Sequence, residues 1–550
     1  MRSYPQCIAF LGQFGRFQQI VFFLLCISIV PNGFGAFTLI FLADTPSHHC
    51  RVPDVNLTEN WRGAIIPVRV VDGKTQRSSC SRYRMDVVRN LSDLGYSPDQ
   101  DVNLTTLEEE TCKDGWIYSK DIYQSTIVTE FDLVCDQKWK KPFTTTIFFV
   151  GVLIGSFFAG QLSDKCGRKP ILFVTLALQT IFAFIQVFSV SWVMFTILLV
   201  INGLGQMSNY MAALVLGAEI LTGNVRLLYS SLGTCSGFAV GYMLLPVCAY
   251  FVRDWKNLLL VLSVPCLAFF PFWWFIPESP RWLLCQDRVE EAEAIIRKAA
   301  KINKVQAPGV IFEGYVAKAT TDPKEPHSIL DLVRNSNIAF MTVILCYVTF
   351  TMSAGYYGIS FNTTQLHDNT YLSCFISGAV ELPAYVSSWL ALRYVSRRLS
   401  VIGTLVLAAL KAYFMQLVPE GYSSLSFLLE MVGKYAITTG FGLMFAYTTE
   451  LYPTALRNTA TGICNTVAQI GSCITPYLLE LRSYAKFLPY IVLGSLAVLA
   501  ALATILLPES FGRPLPDSMQ DIRKRERIKC PCMPQAESPV TVVLMDNAKA

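Results

Sequence analysis

Four ionisable side chains interrupt long apolar runs in the second half of this chain: Glu381, Lys411, Glu430 and Lys434. Ionisable groups inside membrane spans are expensive and are functional candidates by default. Glu430 and Lys434 stand four residues apart in the favourable order for a helix pair, so we expect them to neutralise each other. Glu381 precedes Pro383, which bends a helix, a feature common where a cavity is lined. An unpaired carboxylate there would attract an ammonium group; a purely structural acid is the alternative.

Aromatic side chains in the same runs could hold the same ligand, because a ring face attracts an ammonium group by about 0.5–2 kcal/mol. The candidates are Tyr210, Phe238, Tyr242, Tyr347, Tyr356, Tyr357 and Tyr447. A polar group could bind ligand or a coupling sodium ion through oxygen atoms, with hydrogen bonding between helices as the alternative. Its members are Gln179, Gln206, Asn209 and Tyr210.

Charged motifs recur in the two halves of the chain at one constant separation. Glu219 and Arg226 recur as Glu450 and Arg457, and the Pro-Glu-Ser of 277–279 recurs at 508–510. Such repetition indicates a duplicated architecture. The run GQLSDKCGRK at 160–169 also sets an acid beside bases. We predict charge pairs that hold one conformational state and separate in another, with solvation of loop ends as the alternative. Their members are Asp164, Arg168, Glu219, Arg226, Glu450 and Arg457.

The elements that must position these residues are membrane helices. The 550 residues are 53% hydrophobic and 15% charged, which excludes a single water-soluble domain. We predict an all-α membrane protein with twelve transmembrane helices in two pseudo-symmetric six-helix halves. Basic loops indicate that both termini are cytoplasmic. The net charge of +5 is small for this length, so no nucleic-acid partner is inferred.

The predicted organisation has five parts. They are a cytoplasmic N-terminus (1–19), a first half (20–276) that includes an extracellular glycosylated loop (43–141), a cytoplasmic linker with short helices (277–336), a second half (337–507) and a cytoplasmic tail (508–550).

The loop at 43–141 is polar and carries cysteines and glycosylation sequons. Its four cysteines fit two disulfides with three connectivities open, and its three sequons predict N-glycosylation. The cysteines are Cys50, Cys80, Cys112 and Cys135, and the sequon asparagines are Asn56, Asn90 and Asn103.

The motifs GQLSDKCGRK, IPESPRWLL and TTELYPTALRN, with the LPES before the tail, resemble the major facilitator superfamily. The first loop, with CSRYR, CKDGW and STIVTEFDLVC, is similar to that of the organic cation, anion and zwitterion transporters. The runs IAFLGQFGRFQQIVFFLL, GQMSNYMAA and FAVGYMLLPVCAYFVRDW most resemble the organic cation/carnitine branch.

This resemblance implies a polyspecific plasma-membrane transporter of small organic cations or zwitterions that works by alternating access in contact with membrane lipid. It implies a cation-site acid at Glu381 and a lysine at Lys434, and roles in substrate or sodium binding near Asn209. Gln469 departs from the family, because carnitine and anion carriers usually have arginine there. A substrate carboxylate would lose a bidentate partner.

The alternatives are an organic-anion transporter of the same family and a non-transporting membrane receptor or sensor. No acid/base or metal constellation is visible, so we expect no enzyme, no metal and no cofactor, apart from the coupling sodium ion left open above.

Overall fold

The computed structural model describes residues 4–53, 57–71, 74–312, 336–363, 369–419, 421–452 and 454–511. Asn56, part of the predicted linker and nearly all of the predicted tail lie outside these residues.

Twelve long helices within the described residues form two sets of six. The first set is α1 (Arg16–Phe37, continued by Leu39–Leu42), α2 (Lys140–Cys166), α3 (Arg168–Gln186), α4 (Trp192–Ile220), α5 (Thr234–Phe251, preceded by Gly223–Leu228 and a π-turn at Tyr229–Gly233) and α6 (Trp255–Ser263, continued as a 3₁₀ helix over Val264–Trp274). The second set is α7 (Ser336–Asn362), α8 (Thr370–Tyr394), α9 (Arg397–Phe414), α10 (Ser423–Leu451), α11 (Thr454–Glu480) and α12 (Leu488–Ile505).

Ten segments of the described chain are long and apolar enough to cross a membrane. The two other long helices are α10 and α11, and α10 is made more polar by Glu430 and Lys434. Both pack within the second set, α10 against α8 and α9 and α11 against α7. The predicted all-α membrane architecture in two six-helix halves is confirmed.

The halves meet where α5 packs against α8 and α2 against α11. Within the first half, α1 lies directly on α5 because small residues let the backbones approach. A Cβ on Gly33 would overlap the carbonyl oxygen of Phe238, and one on Gly241 would overlap that of Val30. This close approach brings Phe37, one turn after Gly33, onto the ring of Tyr242, with 3.9 Å between ring centroids.

The segment between α1 and α2 folds at one end of the bundle, which we call the loop face. Its strands are β1 (His48–Cys50), β2 (Val68–Val71), β3 (Lys74–Arg77), β4 (Ser81–Tyr83), β5 (Glu109–Thr111) and β6 (Trp116–Tyr118), and they pair antiparallel as β1–β6, β2–β3 and β4–β5. Short helices at Glu59–Ala64 and Met85–Asp93 pack on a small core around Trp61.

Two disulfides close this loop, Cys50 with Cys112 and Cys80 with Cys135. The side chains of Asn90 and Asn103 are exposed. The Thr105 hydroxyl donates to Asn103 Oδ1 at 2.8 Å, within the same sequon.

Short helices at Pro280–Cys285 and Val289–Asn303 follow α6 at the opposite end, which we call the linker face. The second is the predicted amphipathic helix, with Ala292 and Ile296 buried. Its last residue ties it to the start of α1, because Asn303 Oδ1 accepts from the Phe17 amide at 2.8 Å.

Candidate functional site

A buried ammonium group lies between the two halves of the bundle. It is Nζ of Lys434 on α10, and Oε1 of Glu381 on α8 lies 2.8 Å away as its counter-charge. Three aromatic rings face the same nitrogen, with centroids at 3.7 Å for Tyr356, 5.3 Å for Tyr242 and 5.6 Å for Phe37. We call these five residues the cage.

Both halves build the cage. Phe37 and Tyr242 come from α1 and α5 of the first half, and the other three come from α7, α8 and α10 of the second. A carboxylate together with aromatic faces is the combination that recognises ammonium groups in proteins. The cage therefore has the chemistry of a cation site, and its shape depends on how the halves sit against each other.

Hydrogen bonds fix the carboxylate of the cage. The Tyr356 hydroxyl donates to Glu381 Oε1 at 2.6 Å, and the Tyr385 hydroxyl donates to Oε2 at 3.2 Å. Lys434 Nζ also donates to Ser360 Oγ at 2.5 Å. The side chains of Glu381 and Lys434 are both 0% exposed. The site is closed to solvent in this conformation, so a ligand reaches it only after a conformational change.

Some of the predicted residues belong to this site. Tyr242, Tyr356 and Glu381 are cage members, and two more pack on the cage ring of Phe37. The centroids of Phe238 and Tyr357 lie 6.1 and 6.0 Å from that of Phe37.

The predicted pairing within α10 is wrong. Lys434 pairs with Glu381, whereas Glu430 pairs with Lys411 of α9. Both α10 side chains are buried against neighbouring helices, where partners on other helices compete with the weak pair one turn away. Glu381 is therefore not the unpaired carboxylate that the sequence predicted.

Gln206 and Asn209 lie in a polar cluster with Asn32 of α1, which sequence reasoning missed. Asn32 Nδ2 donates to Asn209 Oδ1 at 3.1 Å, and Gln206 Nε2 donates to the Asn32 carbonyl oxygen at 2.6 Å. Buried Oδ1 of Asn32, Oε1 of Gln206 and Nε2 of Gln179 have no hydrogen-bond partner among the described residues. Buried oxygens left unsatisfied are the ligand type of small hard cations. Tyr210 packs against a hydrophobic cluster toward the linker face.

Three other predicted residues lie outside the cage. The Tyr347 hydroxyl donates to the Leu496 carbonyl oxygen at 3.3 Å, and the Tyr447 hydroxyl donates to that of Pro508 at 2.6 Å. These two bonds join helix ends or neighbouring helices within the second half. Gln469 on α11 is buried, and its Oε1 has no partner within the described part of the chain.

A charge network joins α2, α3 and α4 at the linker face. Arg168 Nη1 lies 2.5 Å from Asp164 Oδ1, and its Nη2 lies 3.1 Å from Glu219 Oε1. Glu278 accepts from the backbone amides of Arg168 and Lys169, both at 3.1 Å. The carboxylate caps the start of α3, where helix N-termini favour negative charge.

The second half carries a matching network. Arg397 Nε lies 3.2 Å from Glu450 Oε2, and Glu509 accepts from the Arg397 amide at 3.0 Å. The Ser510 hydroxyl donates to Glu450 Oε2 at 2.7 Å. Burial opposes ionisation of Glu509, but hydrogen bonds from the Ser396 hydroxyl and nearby backbone amides hold its pKa below the usual value. That carboxylate is therefore charged at neutral pH.

The recurring Glu-x₆-Arg spacing does not identify the paired arginines. Arg226 makes no ion pair with any described residue, and Arg457 Nη2 donates to the Tyr452 carbonyl oxygen at 3.3 Å. The partners of the two glutamates are the arginines that begin α3 and α9. In sequence, the signal for both is a basic pair directly after a helix break.

A cavity of about 680 Å³ lies at the loop face between the ends of α1 and α2 and the second half. Lys411 and Glu430 line it, and Asn362 Nδ2 donates to Glu430 Oε1 at 2.8 Å. Its lining, as far as the chain is described, includes no cage residue. Phe361 lies between the two places, because it lines the cavity while its ring centroid is 6.0 Å from that of Phe37.

Known proteins resemble this chain over nearly its full length. A model of the sugar (and other) transporter family matches residues 105–521. Organic cation/carnitine transporter 2 of Mus musculus is 50% identical over 531 residues, covering 96% of this chain and 95% of its own. Solute carrier family 22 member 4 of Mus musculus is 49% identical over 532 residues, covering 96% of each. The organic cation transporter protein of Drosophila melanogaster is 33% identical, covering 94% of each.

Solved structures share the fold. A partially occluded inward-open structure of the xylose transporter XylE from E. coli superposes with a TM-score of 0.59 at 15% identity, covering 90% of this chain and 99% of that one. XylE bound to 6-bromo-6-deoxy-D-glucose gives a TM-score of 0.56 at 16% identity, covering 91% and 98%. The major facilitator fold and the family resemblance predicted from the motifs are confirmed.

Proposed function

Because the chain belongs to the sugar (and other) transporter family of the major facilitator superfamily, and within it to the organic cation/carnitine transporters, we propose that it carries small organic cations and zwitterions across the plasma membrane. The single observation that supports this choice of substrate is the cage, in which a carboxylate and three ring faces already surround an ammonium group. Each ring contributes about 0.5–2 kcal/mol to holding a cation.

Transport proceeds by alternating access, with the two halves moving against each other around the cage. The complete burial of Glu381 and Lys434 supports this mechanism, because a closed site must open for a substrate to enter or leave. Opening separates ring faces of the first half from the carboxylate of the second. Substrate therefore binds most tightly when the halves close around it.

The charge networks at the linker face gate this motion. Asp164, Arg168 and Glu219 act in the first half and Glu450 in the second, while Arg226 and Arg457 contribute by their charge near the same helix ends. Neutralising Glu219 or Glu450 to glutamine should lower turnover about tenfold if each network stabilises one state by about 1.4 kcal/mol. Normal turnover of both variants at equal surface expression would contradict the gating role.

The loop face is extracellular and both termini are cytoplasmic. The five predicted parts keep their order, with the first half beginning at Arg16 rather than at 20 and the second half at Ser336 rather than at 337. Asn90 and Asn103 carry glycans on this side, and Asn56 is a third acceptor outside the described residues. Removal of glycans by an endoglycosidase from intact cells should increase electrophoretic mobility. If the enzyme removed the glycans only after the cells were permeabilised, the loop face would lie on the opposite side of the membrane from the one proposed.

Sodium is the coupling ion, held by the oxygens of the polar cluster. Asn32 Oδ1 and Gln206 Oε1 support this, since both are buried acceptors without a hydrogen-bond partner among the described residues. Replacing Asn32 with leucine should remove the sodium dependence of uptake while leaving the cage intact.

The test is uptake of labelled tetraethylammonium and labelled L-carnitine by proteoliposomes, with and without a sodium gradient. The parent protein should accumulate both, and Glu381→Gln should lose accumulation of both because it removes the carboxylate of the cage. Gln469→Arg should increase carnitine uptake selectively, since arginine supplies a bidentate partner for a carboxylate.

The control is Glu291→Gln on the exposed face of the linker helix, which should transport as the parent does. Absence of accumulation by parent liposomes, with a thermal stability that tetraethylammonium or carnitine still raises, would exclude the transporter and favour a receptor. Accumulation of organic anions in place of both probes would favour an organic-anion transporter.

A further inference from the structure

The cage is occupied by the protein's own ammonium group. Lys434 Nζ makes the contacts that a substrate ammonium would make, with Glu381 and with the ring faces of Tyr356, Tyr242 and Phe37. A substrate cation and this nitrogen cannot occupy the cage together. The inference that follows rests on the proposed function, because it assumes that substrate binds in the cage.

Displacement of Lys434 by a simple cation leaves the protein with a problem of charge. Lys434 is part of α10, so its ammonium group stays buried after the substrate cation has taken Glu381 from it. A buried ammonium without a partner is strongly unfavourable, because breaking one side of a buried pair leaves an uncompensated charge. A cation that carries no negative group therefore binds against this cost.

A zwitterion avoids the cost by exchanging partners. Its ammonium group takes the place of Lys434 Nζ against Glu381 and the rings, and its carboxylate accepts hydrogen bonds from the displaced Nζ. Every charge has a partner before and after the exchange, and the net buried charge stays zero. The Ser360 hydroxyl accepts from Lys434 Nζ at 2.5 Å and already donates to the Tyr356 carbonyl oxygen at 2.6 Å, so the hydrogen bonds to the incoming carboxylate come from the displaced Nζ.

Two other buried side chains of this half, Gln469 and Lys411, are poorly suited to pairing with the substrate carboxylate. Gln469 carries no charge, and Lys411, the second buried lysine of this half, is held by Glu430. We infer that Lys434 is a tethered occupant of the cation site that swaps partners with the substrate, and that it thereby selects zwitterions over simple cations. Lys434 is a specificity-determining residue on this basis.

The first experiment needs no variant. Choline and glycine betaine share a trimethylammonium group, but only glycine betaine has a carboxylate on it. Both are used as inhibitors of labelled L-carnitine uptake by parent proteoliposomes. Glycine betaine should inhibit at a concentration at least about tenfold lower than choline, which corresponds to about 1.4 kcal/mol. Equal inhibition, or stronger inhibition by choline, would overturn the inference.

The second experiment removes the tethered charge. Lys434→Met keeps a long unbranched side chain but leaves Glu381 alone in the cage, so choline and tetraethylammonium should inhibit about tenfold better and glycine betaine about tenfold worse. Lys434→Arg should keep the preference of the parent. The matched control is the double variant Lys411→Met with Glu430→Leu, which removes the other buried pair and should leave the choline-to-betaine ratio unchanged.

The outcomes separate two failures. If the parent transports neither carnitine nor tetraethylammonium, the proposed function fails. If the parent transports both and Lys434→Met keeps the ratio of the parent, transport stands and the exchange of partners is wrong. Should Lys434→Met not assemble in the membrane, the ratio measured on the parent decides.

Discussion

Two buried lysine–carboxylate pairs share helix α10 and differ in what surrounds them. The Glu381–Lys434 pair is contacted by rings from α1 and α5 of the first half as well as by α7 of the second. The Lys411–Glu430 pair has its contacts within the second half, where Asn362 bonds to Glu430 and the Tyr490 ring lies 5.2 Å from Lys411 Nζ. Relative motion of the halves therefore changes the surroundings of the first pair, whereas the second pair and its contacts move together with the second half.

The difference teaches that burial of a charge pair does not by itself indicate function. Both pairs pay the cost of removing charge from water. Only the first combines a carboxylate with several ring faces across a boundary that can open, which is what a cation carrier needs. The second joins four helices of one half, α7, α9, α10 and α12, at the loop face.

The strongest way to break this comparison is to remove each pair completely. Glu381→Gln with Lys434→Met should lower cation and zwitterion uptake by about 100-fold, because the cage loses its carboxylate and its exchange partner. Lys411→Met with Glu430→Leu should keep the KM of the parent within about twofold, since replacing a buried pair by apolar groups is often neutral. The measurement is initial uptake normalised to surface protein, with both double variants expressed side by side.

A loss of uptake by the second double variant as large as that of the first would erase the distinction. The variant Leu499→Ala, on an exposed face of α12, serves as the reference for a neutral change in the same half.

The sequence predicted the fold well because membrane helices are specified by long apolar runs. The halves and the linker helix from Val289 follow from the same local signals. The cage was predicted only in part. Glu381 and Tyr242 were visible as polar or aromatic residues in spans, whereas Phe37 is one phenylalanine among 36.

What the sequence could not predict is which charges meet. Spacing on α10 favoured Glu430 with Lys434, and spacing in the repeats favoured Glu219 with Arg226. Each actual partner lies on another helix, so it depends on how helices pack and on where small residues leave room. Asn32 could have been found by the rule that identified Asn209, since both are polar residues in an apolar span.

A smaller effect, on the free energy of unfolding, is expected when only the carboxylate of the Lys411–Glu430 pair is removed. Glu430→Gln leaves the Lys411 ammonium buried without a counter-charge, which should lower the free energy of unfolding by about 3–5 kcal/mol. Thermal unfolding of the purified protein in nanodiscs measures this. Adding Lys411→Met to the same protein should restore most of the loss. If the single variant were as stable as the parent but bound substrate less tightly, the Lys411–Glu430 pair would contribute to substrate binding rather than to stability.

The smallest expected effect is a change in Tm when the space beside the Lys411 side chain, which lets it reach Glu430, is filled. A Cβ on Gly433 would lie 2.8 Å from Lys411 Cδ, so Gly433→Ala must push the lysine stem aside. Overpacking of this kind costs about 1–3 kcal/mol. The matched control is Gly403→Ala on α9, where a Cβ meets nothing within 4 Å and alanine should stabilise the helix by about 0.4–1 kcal/mol. Opposite shifts in Tm for the two variants, at an unchanged KM for carnitine, would show that the geometry of the second pair affects stability alone. A raised KM in Gly433→Ala would instead connect that pair to the cage through the single turn of α10 that joins Glu430 to Lys434.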